Sequence, residues 1–134
     1  MPSHAAGIFE VKLLPQSLAN AEAGPLMGRL SISKTFSGDL QATSQGEMLS
    51  AGPTVKGSAG YVAMECVTGT LHGKSGSFVL QHSGTMNRGV PQLTVSVVPD
   101  SGTGELAGIN GMLSIQMADG QHSYVMEYEI SSQD

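Results

Sequence analysis

The sequence predicts an all-β fold, a single closed barrel of eight antiparallel strands in up-and-down order, and three observations carry that prediction. Apolar residues recur with a period of two far more often than with a period near 3.6. All six prolines, Pro2, Pro15, Pro25, Pro53, Pro91 and Pro99, fall between or before the alternating segments, where a missing ladder donor does no harm. Glycines inside those segments, among them Gly28, Gly46, Gly69, Gly84 and Gly111, weaken a flat sheet but permit the bends of a curved one. The alternative that the same pattern allows is a β-sandwich.

The alternation locates each strand in turn. Gly7 to Leu13 places Phe9, Val11 and Leu13 on one face, and Gly28 to Phe36 places Leu30, Ile32, Lys34 and Phe36 on one face. Leu40 to Leu49 is a weaker, more polar strand. Gly60 to Leu71 sets Tyr61, Ala63, Glu65 and Val67 against Val62, Met64, Cys66 and Thr68. Ser77 to Met86 sets Phe78, Leu80, His82 and Met86 against Ser77, Val79, Gln81, Ser83 and Thr85. Gln92 to Val98 alternates Leu93, Val95 and Val97 with polar residues, and Gly111 to Met117 and His122 to Ile130 complete the eight. The turn sequences SGD, HGKSG, PDSGTG and ADGQ supply Gly, Asp and Ser where positive φ or a side-chain to backbone bond is wanted. Ser17 to Ala23 is stopped by Gly24 and Pro25 within two turns of any helix and is expected to be a loop. Residues 1–6 and 131–134 are expected to be loose ends of one domain spanning 1–134.

Composition narrows the function classes. A chain of 134 residues is long enough to bury roughly two thirds of its unfolded surface in one core. The single cysteine, Cys66, excludes an intrachain disulfide and a cysteine zinc cluster. With a net charge of −5, six scattered Lys and Arg and no Trp, the chain has neither a basic stripe for phosphates nor a stacking platform for bases, so no nucleic acid partner is expected. MPSHAAGIFEVK lacks the basic and apolar regions of a signal peptide, and no apolar run approaches the ~20 residues of a membrane span. The expectation is a cytoplasmic protein with no membrane partner.

Two near-matches to nucleotide motifs fail on spacing or context. Gly69, Gly73, Lys74 and Ser75 end like a phosphate-binding loop but stand one residue short, and a strand follows where the loop needs a helix N-terminus. HGKSG therefore reads as a hairpin tip of four or five residues with Lys74 in solvent. GTGELA, with Gly102, Gly104 and Ala107, has the outline of a dinucleotide fingerprint, but Gly108 to Gly111 will not form the crossover helix, so it reads as a long turn. The four histidines, His4, His72, His82 and His122, have no metal-binding spacing, and no G-x-S-x-G elbow occurs. No cofactor or metal is expected.

The remaining candidates are ionisable side chains on apolar strand faces. His82 is either a neutral, hydrogen-bonded core residue or a proton carrier and polar handle in a cavity. Glu65 meets His82 only if the two share a face. Sharing a face, the Glu65–His82 pair can make a general acid/base, and facing outward Glu65 belongs to a surface or subunit ion pair. Lys34 either snorkels to the rim or finds a carboxylate such as Glu65. Tyr124 and Tyr128 share the apolar face of the last strand, with hydroxyls that can serve a ligand.

Taken together, GRLSISKTFSGDL, AGYVAMECVTGTLHGKSGSFVLQHSGTMNRG, QLTVSVVPDSGTGELAG and HSYVMEYEI resemble a family of small bacterial proteins of unknown function, over roughly Gly7 to Ile130. That family's fold looks like the allene oxide cyclase barrel, eight antiparallel strands around a central cavity, so the resemblance implies the barrel rather than the sandwich. Allene oxide cyclases are longer plastid proteins that steer an unstable fatty-acid epoxide to one ring stereoisomer. None of their catalytic positions matches here, and no residue role is carried over. Three functions follow as expectations. The first is a module binding a small, largely apolar ligand through His82, Glu65, Lys34, Tyr124 or Tyr128, and the second is an isomerase or cyclase acting on a reactive lipid-like substrate with His82 or Glu65 moving a proton. The third is a packed barrel acting through its oligomer surface. Outward Val62, Met64, Val98 and Val125 lead to the expectation of a homo-oligomer, a dimer or larger.

Overall fold

The structure is a computed structural model that describes residues 2–20, 22, 26–52 and 55–131. Eight strands follow one another, β1 (Ser3–Gln16), β2 (Met27–Gly38), β3 (Leu40–Ala51), β4 (Ala59–Leu71), β5 (Lys74–Asn87), β6 (Val90–Val97), β7 (Ile109–Ala118) and β8 (Gln121–Ile130). Each pairs antiparallel with its neighbours in sequence, and β1 also pairs with β8, so the sheet closes into a barrel and the sandwich alternative is excluded. Closure leaves no free sheet edge, and the alternation of each strand becomes an inside and an outside. In β5, Phe78, Leu80 and His82 are buried while Gln81, Ser83 and Thr85 are exposed.

Turn chemistry fixes the register. The pairs Leu71↔Lys74, Asn87↔Val90 and Ala118↔Gln121 leave the two-residue loops His72-Gly73, Arg88-Gly89 and Asp119-Gly120. All six loop residues have positive φ, the pattern of type I′ turns, whose twist matches that of the strands they join. HGKSG is thus a hairpin tip as expected, but its loop has two residues instead of four or five, because His72 itself takes φ +48. Lys74 is exposed as the first residue of β5.

Several boundaries move. Residues 3–6, expected to be loose, belong to β1 and pair with β8, with Ala5 fully buried opposite Met126. Ala5, Ala6 and Gly7 are too small to make an alternation visible. GTGELA contains a 3₁₀ helix, Gly104–Leu106, whose Leu106 is buried in the core. Of the Ser17 to Ala23 segment, Ser17 to Asn20 are neither helix nor strand, while Ala21, Ala23, Gly24 and Pro25 lie outside the described residues. Of the expected loose C-terminus only Ser131 is described, and its N–H donates to the Gly108 carbonyl. Among the described residues no helix is long and apolar enough to cross a membrane.

The two ends of the barrel differ. The lower end, where the β2–β3, β4–β5 and β6–β7 connections lie, is filled by Leu40, Leu71, Leu106 and Ile109, all buried. At the upper end, where the other connections lie, inward positions stay open: Leu13 is 44% and Leu93 43% exposed. Beside that opening the wall is thin, since β6 and β7 are joined by a single paired position, Ser96↔Met112. On the outside Val62, Met64 and Val125 are exposed, while Val98 lies past the end of β6 and is half-buried.

Candidate functional site

Four consecutive strands each send one polar side chain inward at the same height. Lys34 on β2 is paired directly with Ser44 on β3, Glu65 on β4 is paired with Gly46 on β3, and His82 on β5 is paired with Ala63 on β4. Glu65 and His82 are therefore diagonal neighbours on the inner face, a separation that long side chains bridge. Lys34 reaches Glu65 across β3 because the inward positions between them carry only Ser44 and the bare backbone of Gly46.

Glu65 is the hub. Its Oε1 accepts from Lys34 Nζ at 2.8 Å and from His82 Nε2 at 2.7 Å, and its Oε2 accepts from Ser44 Oγ at 2.6 Å. All four side chains are enclosed, Glu65 at 1%, Lys34 at 8% and His82 at 4% exposure. Burial by itself pushes the Glu65 carboxyl up, but the His82 hydrogen bond, the Lys34 charge and hydrogen bond, and the Ser44 hydrogen bond outweigh it and hold the pKa at about 2. The group is held as a carboxylate at any ordinary pH by its own partners. Accepting at Oε1 also requires that His82 carry a proton on Nε2.

Below the cluster lies an aromatic floor. Lys34 Nζ sits 4.8 Å from the Phe9 ring centroid and 5.8 Å from that of Phe36, placing the ammonium against two π faces. His122 stacks on Phe9, the ring centroids 5.0 Å apart. Beside the cluster, and reaching down to this floor, is a cavity of about 180 Å³ lined by Phe9, Lys34, Tyr61, Ala63, His82 and His122 among others. Through Met48, Tyr61 and Leu93 it adjoins an apolar recess of about 440 Å³ at the open end, where Gly84, Met86 and Pro91 form the wall. Burial, and then the Glu65 charge, raise the Tyr61 hydroxyl, which stays protonated.

Of the side chains singled out from sequence, Lys34, Glu65 and His82 come together, while Tyr124 and Tyr128 do not join them. Tyr124 accepts from the Leu40 N–H and donates to the Ser37 carbonyl, bracing the β2–β3 turn at the closed end. The Tyr128 hydroxyl is hydrogen-bonded to His72 Nδ1, also at that end. Burial raises both hydroxyls. Ser44, Tyr61 and His122 complete the site and were not singled out. Ser44 sits on the strand with the weakest alternation, and Tyr61 and His122 share faces with residues that were identified, so only the face assignment pointed to them. Among the described residues no group of three or more His, Cys, Asp or Glu could hold a metal ion.

The model of DUF3224, described as a protein of unknown function, matches residues 5–128. A crystal structure at 1.84 Å resolution of a protein with unknown function from that family, from Shewanella oneidensis MR-1, is similar at a TM-score of 0.94 with 47% sequence identity, covering 99% of this chain and 100% of that one. No curated protein matches the chain.

Proposed function

The chain belongs to the DUF3224 family, a family of unknown function, and from that premise we propose that its barrel binds a small, largely apolar molecule in the open half, with the polar end at Lys34 and His82. One observation carries this reading: an apolar opening runs inward and ends on a buried polar cluster instead of a filled core. Cavity and recess together fall within the range of about 300–1,000 Å³ usual for small-molecule sites, and such sites pair apolar walls with a few placed polar groups. The inner chamber alone is the size that takes a single ring or a short branched chain. In this reading Glu65 touches no ligand and instead holds in place the two side chains that do, Lys34 as a donor and His82 through its free ring nitrogen.

A neutral apolar dye such as Nile red is expected to gain fluorescence on binding and to be displaced by medium-chain alcohols or ketones, or by small aromatics. Leu93→Asp, at the lip and without core contacts to lose, is expected to weaken the dye at least about tenfold, or about 1.4 kcal/mol, with little change in melting temperature. No dye signal and no thermal stabilisation by any of these compounds would exclude the reading. The proposal takes the protein to work in the cytoplasm as a homo-oligomer joined through outward faces such as that of Val62 and Met64. A light-scattering mass equal to the 13.8 kDa of one chain at micromolar concentration would count against assembly.

A further inference from the structure

Building on that binding reading, we infer that the cavity is a proton-transfer site for a neutral, enolisable carbonyl compound, with His82 as the base and Lys34 as the group that receives the developing charge on oxygen. The first support is the state of the imidazole. Nε2 must donate to the Glu65 carboxylate, so in the neutral ring the lone pair is on Nδ1. Nδ1 has no hydrogen bond with any described residue, yet no sealed side-chain nitrogen or oxygen among the described residues lacks a partner. Nδ1 is therefore not walled in by protein, and His82 lines the cavity together with Lys34.

The second support is charge. Lys34 and Glu65 cancel one another, so an anionic ligand end would bring a second negative charge to a site with one resident cation. A neutral carbonyl oxygen has no such cost. Lys34 uses one of its three N–H donors on Glu65 and lines the same cavity as His82, so it can donate to that oxygen from beside the base. Glu65 is the positioning residue: it fixes the tautomer and orientation of His82 and offsets the positive charge that the imidazole acquires.

The step balances without another reactant. Nδ1 takes a proton from the carbon next to the carbonyl, and the C–H pair forms a C=C bond while the carbonyl π pair moves onto oxygen, stabilised by the Lys34 ammonium. The same nitrogen returns the proton to the γ carbon of a β,γ-unsaturated ketone, the oxygen pair re-forms the C=O, and the conjugated isomer leaves. Nothing is oxidised, reduced or lost.

The test uses 3-cyclohexen-1-one and the linear 4-decen-2-one in D₂O, with binding read from protein chemical shifts and reaction from deuterium uptake and formation of the conjugated ketone. Wild type is expected to exceed the rate of an equal concentration of free imidazole by at least about 10²-fold, the lower range for a positioned general base. His82→Gln is expected to lose that factor at saturating probe while melting as a folded protein. A probe that binds wild type but reacts no faster than with imidazole overturns the proton-transfer assignment and leaves the binding reading standing. Equal rates in wild type and His82→Gln overturn the role of His82, and absence of binding by either ketone overturns this inference on its substrate class, whatever the dye shows.

Discussion

Glu65→Gln is expected to destabilise the protein by about 3–5 kcal/mol, the usual cost of leaving one member of a buried ion pair without its partner. The Lys34 ammonium, 8% exposed, would lose the carboxylate that neutralises it at 2.8 Å. Pairing Glu65→Gln with Lys34→Met removes both charges while the amide oxygen can still accept from His82 and the amide NH₂ can donate to the Ser44 hydroxyl, so the double variant is expected to regain at least about 2 kcal/mol of the loss. Urea denaturation of wild type, the single variant and the double variant measures each. A single variant within about 0.5 kcal/mol of wild type would mean that the pair contributes no net stability.

The pH dependence follows from the same pair. Glu65 has its carboxyl lowered from 4.5 to about 2 in the folded state, so folding favours the ionised form. The associated stability, about 3 kcal/mol from the size of that shift, is fully present above pH ~4.5 and is lost as the pH falls towards 2. The double variant lacks this component, and its stability curve is expected to be flatter than the wild-type curve across that window.

Gly46→Ala is the second large effect, and it strikes the same cluster through the backbone. A Cβ at position 46 would lie 2.1 Å from the Met64 carbonyl oxygen, 2.7 Å from Glu65 Cα and 2.8 Å from Glu65 Cβ. Those atoms belong to the paired strand and cannot yield as a side-chain tip does, so β3 and β4 must separate where Glu65 stands. A loss of about 3–5 kcal/mol is expected, in the range of severe core strain, together with weaker dye binding in whatever fraction folds. Gly60→Ala is the control. Its Cβ would meet nothing closer than 3.8 Å, so a change within about 1 kcal/mol of wild type is expected. Equal melting temperatures for the two variants would show that close strand approach at Gly46 does not matter.

The buried cluster explains why this barrel is not simply packed with aliphatic side chains. Four polar residues at one level cost desolvation that Leu or Met would avoid, yet each side chain has a partner and the charges balance. On the closed side the interior is apolar and full, and on the open side it is apolar and hollow. A polar layer placed at that boundary is where a ligand's polar end would stop.

What the sequence determined by itself is the set of strands and the two alternating faces of each. Period two is a local property, so the inward placement of His82 was legible from Phe78 and Leu80 and HGKSG was legible as a hairpin tip, whereas the facing of Glu65 was not, because both faces of its strand carry apolar residues. The tertiary structure decided which inward residues meet. Lys34 and Glu65 are separated by a whole strand, and their contact depends on the registers of β2 with β3 and β3 with β4 together, and on Gly46 leaving the space between them. Ser44 was silent because a small hydroxyl on a polar strand carries no periodic signal. Leu106 was silent because a loop has no period at all. The open upper end is also a tertiary outcome: alternation continues unchanged along Leu13, Leu93 and Met117, and only the distance across the barrel determines whether facing side chains touch or leave a cavity.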